Sequence, residues 1–156
     1  MTRIQHSGRG ILRHLSVAAL ILLIPASVSM AEQGPRGWGV GLGAFDGDFG
    51  AHARKDFMLG AVDQFEIVVQ GGLYNQNKWA GRFDGDFHYV FFPESAFRLY
   101  PLAGVDWAVQ SKNNRAGANL GGGFTFDLNS QTRLFVEAKY VAGDWDGFAF
   151  TAGIYF

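Results

Sequence analysis

Apolar and polar residues alternate with a period of two along most of this chain, the pattern of β-strands that present one apolar face. Trp79, Gly81, Phe83, Gly85, Phe87, Tyr89 and Phe91 stand against Ala80, Arg82, Asp84, Asp86, His88 and Val90. The odd positions from Phe97 to Val109 oppose a set that includes Arg98 and Asp106. Ala116 to Phe126 oppose Arg115 to Asp127, and Leu134 to Tyr140 oppose Arg133, Phe135, Glu137, Lys139 and Val141. Upstream, Phe65 to Leu73 and Trp38 to Ala44 repeat the pattern, and Phe148 to Phe156 closes it. A less regular strand is expected at about 49 to 59, where Lys55 falls on the apolar face near a membrane boundary or a slip in register. The breakers are brief: Gly60 to Asp63, Asn75 to Lys78, Pro93 to Ser95, Gln110 to Asn114, Asn129 to Gln131 and Gly143 to Gly147. The expectation is eight antiparallel strands joined by short turns, each near the ~9–11 residues that cross a bilayer.

The two ends add an address. Arg3, Arg9 and Arg13 precede an apolar run from Leu15 to Ile24 that Pro25 breaks, and small residues lead to Ser29-Met30-Ala31. The run is well short of the ~20 residues of a spanning helix, so residues 1–31 are read as a secretory signal peptide and 32–156 as one exported domain. With no cysteine in the chain, lipoprotein acylation, disulfides and thiolate metal sites are excluded. Of 13 Lys and Arg, three leave with the signal, so the exported part carries a net negative charge against 14 Asp and Glu. That balance argues against nucleic acid as a partner.

Sidedness decides the class. One face of the strands is aliphatic, aromatic or glycine, whereas the other holds Arg82, Asp84, Asp86, Arg98, Asp106, Asp127, Arg133, Glu137 and Lys139. An eight-stranded barrel has an interior just wide enough to be filled by side chains. Glycine and ion-paired side chains fit that interior, which leaves the aromatic face outside. The expected fold is all-β: an up-and-down transmembrane barrel of eight antiparallel strands. A secreted lipocalin-like carrier is the alternative, and it requires the aromatic face to enclose a ligand.

The chain resembles the small outer-membrane β-barrel proteins of Gram-negative bacteria, the OmpA-like and OmpX-like group. The likeness runs over residues 36–156 and is strongest at Arg98-Leu99-Tyr100-Pro101-Leu102-Ala103-Gly104-Val105, Leu120-Gly121-Gly122-Gly123-Phe124-Thr125-Phe126, Phe135-Val136-Glu137-Ala138-Lys139-Tyr140 and the terminal Phe156. It implies residence in the cell outer membrane, contact with its lipid and lipopolysaccharide, and a monomer whose last strand is read by the assembly machinery at Phe156. Ile154 departs from the penultimate aromatic usual in that signal, and Gly153 lies nearer the terminus than expected. Pro101 lacks the N–H that an interior strand must donate, so a bulge or a place near the rim is expected there.

The same group includes lipid A acyltransferases and deacylases, so the resemblance leaves a lipid A-modifying enzyme as an alternative. Ser95, Ser111, Ser130, His52 and His88 are the Ser and His available, and only His52 and Ser111 fall toward the outer rim. They lie far apart in sequence, and no enzyme is expected. Asp46-Gly47-Asp48, Asp84-Gly85-Asp86 and Asp144-Trp145-Asp146 place carboxylates two apart, too few oxygens for a committed Ca²⁺ site. No cofactor or metal is expected. The external turns are short for adhesion. The residues singled out are ion pairs of the lumen: a turn centred on Glu94 sets Arg82 opposite Asp106, one centred between Lys112 and Asn113 sets Arg98 opposite Asp127, and Arg133 approaches Asp127 from the next strand.

Overall fold

The computed structural model describes residues 37–59, 64–76, 78–110, 113–144 and 146–156. The signal-peptide segment, the boundary at 31/32, the breaker at 60–63, Ser111, Lys112 and Trp145 lie outside the described residues. Eight strands follow one another: β1 (Trp38–Phe45), β2 (Asp48–Met58), β3 (Phe65–Gln76), β4 (Lys78–Tyr89), β5 (Phe97–Gln110), β6 (Asn113–Asn129), β7 (Thr132–Gly143) and β8 (Gly147–Tyr155). Each pairs antiparallel with its sequence neighbour, and β8 returns to β1, so the sheet closes into a barrel. Closure leaves no edge strand open to aggregation.

Local chemistry fixes the turns. Asp46 and Gly47 both adopt positive φ, 51° and 93°, between Phe45 and Asp48, which pair directly. That is the Asp-Gly two-residue connection whose twist suits a hairpin. At the opposite, terminal end, where β1 begins and β8 ends, the β4–β5 connection is longer. Phe91 still bridges to Leu99, and the Ser95 N–H donates to the Phe92 carbonyl.

Parity along the strands sets the two surfaces. Val40, Leu42, Phe49, Val69, Trp79, Val105, Trp107, Leu120, Phe148 and Phe150 are exposed on the outside, Leu42 and Leu120 by 71% and 70%. Inside lie Arg54, Asp56, Arg82, Asp84, Asp86, Asp106, Arg133, Glu137 and Lys139, all buried. Lys55 points outward near the terminal end, 4.0 Å from Asp56 and with its ammonium 5.7 Å from the Phe57 ring.

Two expectations are corrected. The β4–β5 register sets Arg82 opposite Ala108 and Asp84 opposite Asp106, two residues from the predicted alignment. The cause is the position of the turn: Phe91 bridges to Leu99, which centres the connection on Ser95 rather than Glu94. The β5–β6 register likewise sets Arg98 opposite Thr125, because Gln110 pairs with Asn113 and only residues 111–112 remain to connect the strands. Pro101 sits opposite Gly122 in an unshifted register, and the shift in this sheet falls between Asp127 and Asn129 instead. Amides two apart on a strand point the same way, and Leu99 accepts from Phe91, two residues past the end of β4, so the nitrogen of Pro101 also faces the β4 side. The β4–β5 ladder ends at His88 and Leu102, and the missing donor therefore interrupts no bond.

Candidate functional site: the charged lumen

Inward-facing positions of all eight strands converge on a narrow interior, and three groups of charge occupy it. Toward the far end, Arg82 Nε lies 2.5 Å from Asp106 Oδ2 and 3.6 Å from Asp84. Because Arg82 is diagonal to Asp106 rather than opposite it, the pair relies on the reach of the guanidinium, which spans such a diagonal. The Arg82 guanidinium also lies 4.3 Å from the Phe45 ring centre. Phe45, Tyr74, Val141 and Ala149 form a buried apolar cluster at this end.

Asp84 and Asp106 oppose one another across β4 and β5, an arrangement of like charges that is destabilising on its own. Cations reach them from two sides. Arg82 lies between them, and Lys139 arrives from β7 with Nζ 3.1 Å from Asp84 and 2.6 Å from Asp86. The Gln70 side-chain amide donates to Asp84 at 3.1 Å, and that of Asn119 donates to Asp86 at 2.7 Å.

Deeper toward the terminal end, Arg54 on β2 meets Glu137 on β7 at 2.5 Å. The Tyr100 hydroxyl donates to the same carboxylate at 2.8 Å and the Thr151 hydroxyl at 3.2 Å. The guanidinium of Arg54 lies 4.3 Å from the centre of the Phe135 ring. His88 stacks on Tyr100 at 4.4 Å, with Nε2 3.9 Å from Glu137.

Nearest the termini, Arg98 grips Asp127 through two bonds of 2.9 and 2.8 Å, the bidentate geometry that guanidinium and carboxylate favour. Arg133, directly opposite Asp127, donates to it at 2.8 Å. Nε of Arg98 donates to the Pro93 carbonyl at 2.7 Å, which ties this cluster to the β4–β5 turn.

The residues singled out from the sequence thus lie on the inner wall, and each is brought to its named partner on an adjacent strand. The pairs Arg54–Glu137 and Lys139–Asp84/Asp86 were not foreseen. Arg54 follows from parity alone once Lys55 is set outside. Its partner does not, because contacts across the lumen depend on how the barrel closes.

The candidates for nucleophilic or metal chemistry stand apart. His52 is buried between Gly41, Gly72 and the Phe135 ring, 5.9 Å from that ring's centre. His88 is buried, whereas Ser95 is exposed in a turn, where its hydroxyl accepts from the Phe97 N–H. Asp144 and Asp146 accept from the backbone N–H groups of Ala116 and Gly143, the ordinary chemistry of a turn. Among the described residues, no group of three or more His, Asp or Glu is placed to hold a metal ion.

No family model matches the chain, and no curated protein matches it. Solved structures do. The N-terminal β-barrel domain of OprF from Pseudomonas aeruginosa is similar with a TM-score of 0.60 at 16% identity, over 78% of this chain and 97% of that one. Ail, the attachment invasion locus protein of Yersinia pestis, aligns with a TM-score of 0.48 at 14% identity, over 76% of this chain and 92% of that one. The fold is accordingly the eight-stranded barrel of the OprF N-terminal domain.

Proposed function

We propose that this chain is an integral outer-membrane barrel whose outer wall lies in lipid and whose lumen is packed shut by ion pairs. The observation that carries the proposal is the opposed character of the two faces: large apolar side chains outside, paired charges inside. An exposed apolar surface of this extent far exceeds the few hundred Å² that soluble monomers show. The same sidedness disfavours a lipocalin-like carrier, whose ligand would have to occupy the space held by Arg54, Glu137 and Lys139. Its partners on this reading are outer-membrane lipid, lipopolysaccharide at the external rim, and the assembly machinery acting on the strand that ends at Phe156. The role is structural, as a monomer. Catalysis is not part of the proposal, since a nucleophile and its base must lie within hydrogen-bond reach, and His52 and His88 pack against Phe135 and Tyr100 instead.

Cell fractionation combined with heat-modifiable gel migration tests location and closure together. The expected result is recovery with the outer membrane and a faster-migrating unheated band. A detergent-free periplasmic monomer would overturn the proposal. Planar-bilayer recording tests the lumen separately, and a large stable conductance would contradict a closed interior.

A further inference from the structure

The inner face of β1 is nearly bare. Its inward positions run Gly39, Gly41, Gly43 and Phe45, so the strand sends one side chain, a ring at its far end, into the lumen. On β8, Gly153 stands directly opposite Gly41. Elsewhere ion pairs bind neighbouring strands to one another: Arg82–Asp106, Arg98–Asp127 and Arg133–Asp127 link β4 through β7 in turn. The β1–β8 ladder runs from Gly39–Tyr155 to Phe45–Ala149, and β1 has no charged side chain to offer on its inner face.

What covers the bare stretch comes from the strands on either side. Along the sheet, β2 and β7 are separated by β1 and β8. On the lumen side they touch. Arg54 on β2 reaches Glu137 on β7 at 2.5 Å, and its guanidinium lies 4.3 Å from the centre of the Phe135 ring. The His52 ring lies 5.9 Å from the same centre. Absent side chains make room for these contacts. A Cβ at Gly39 would come 3.1 Å from Arg54 Cγ, one at Gly41 2.8 Å from His52 Nε2, and one at Gly153 2.6 Å from Phe135 Cζ. Glycine inside a strand marks a place that other groups approach closely, and here those groups belong to the two strands that flank the junction.

We infer that Arg54 and Glu137, with His52 and Phe135 beside them, form a strap from β2 to β7 that locks the β1–β8 junction, and that the finished barrel opens first at this junction when the strap is cut. Parting β1 from β8 carries β2 away from β7. The ladder therefore cannot open without breaking the Arg54–Glu137 pair, which leaves each buried charge without its partner at high cost. Without the strap, the junction rests chiefly on its backbone bonds, and local opening begins where such support is least. The strap is a property of the closed sheet and acts alike in micelles and in lipid.

Disulfide staples test it, in a chain that has no cysteine of its own. Val40 and Ile154 face outward directly opposite each other across the junction, and Ala103 and Leu120 do so between β5 and β6. Directly opposed strand positions lie within the Cα separation that a disulfide spans. Glu137→Gln is combined with Val40→Cys/Ile154→Cys or with Ala103→Cys/Leu120→Cys. Unfolding in urea is then timed in detergent micelles, with the staple oxidised and reduced. Heat-modifiable migration verifies folding, and Arg54→Gln takes the place of Glu137→Gln if the latter does not fold. With the staples reduced, Glu137→Gln is expected to speed unfolding by about tenfold or more. The oxidised junction staple should abolish that acceleration, and the oxidised β5–β6 staple should leave it intact. An acceleration that survives the junction staple would show unfolding that starts elsewhere, and one that both staples abolish would show no preference for the junction. Either result overturns the inference, as does a Glu137→Gln barrel that unfolds at the unaltered rate.

Discussion

Arg54 on the second strand and Glu137 on the seventh meet across the middle of the barrel, both fully buried and separated by 83 positions in sequence. The pair is not a neighbour contact of the sheet. It joins opposite walls, and Tyr100 and Thr151 from two further strands complete the hydrogen bonding of the carboxylate. A buried pair gains little over an apolar filling of the same space, but costs much when one partner alone is removed.

Glu137→Ala is accordingly expected to destabilise the barrel by about 3–5 kcal/mol, the usual cost of leaving one buried charge without its partner. Arg54→Met combined with Glu137→Leu should recover most of that loss. Urea unfolding in lipid vesicles measures both, and a double variant no more stable than Glu137→Ala would show that the charges are not coupled.

Glycines on the two faces should respond in opposite ways to alanine. A Cβ at Gly104 would collide with the Asp86 carboxylate and the Gly85 carbonyl, part of which is immovable backbone. At Gly85, which faces outward, the first atom met is Val105 Cγ2 at 3.9 Å. Gly104→Ala should therefore unfold at clearly lower urea, by about 1–3 kcal/mol or more of overpacking. Gly85→Ala should be neutral or gain about 0.4–1 kcal/mol through the unfolded chain.

Leu120→Arg is expected to cost roughly 2–4 kcal/mol in vesicles, the penalty for an arginine on the lipid face near mid-membrane. Leu120→Phe should cost much less. Equal effects in the same titration would contradict the assignment of the outer face.

Deletion of Phe156 should lower outer-membrane levels in cells more than it lowers stability in detergent micelles. Its ring is exposed, and within the fold its N–H donates to the Trp38 carbonyl at 3.0 Å. Quantitative blotting of membrane fractions beside thermal unfolding of purified protein separates the two effects. Unchanged levels in cells would remove Phe156 from the assembly signal.

What the sequence revealed and what it hid divide along a physical line. Strand identity and facing are local properties, so the alternation around Phe83, Asp84 and Phe87 determines them directly. Register depends on where a turn ends. Phe92 in a left-handed conformation and Ala96 bonded to Asp127 could not be read from Pro93-Glu94-Ser95, and the alignment of Arg82 moved by two residues. The Arg82–Asp106 contact is present despite that shift because a displacement of two preserves facing and a long side chain spans the diagonal. Lys139 on the inner wall was legible, but its meeting with Asp84 and Asp86 was not, since it depends on the closed circumference rather than on any one hairpin.

The contact of Lys139 with two carboxylates on β4 also has a bearing on time. Neighbouring hairpins can pair one after another, each within a short stretch of chain, but a bond from β7 to β4 across the interior must wait until the wall has curved round. Interactions that form after the rate-limiting step leave the folding rate nearly unchanged and act on the rate of unfolding. Lys139 and Arg54 would then govern how long a finished barrel survives, while the speed at which it is built rests with the strands and turns alone.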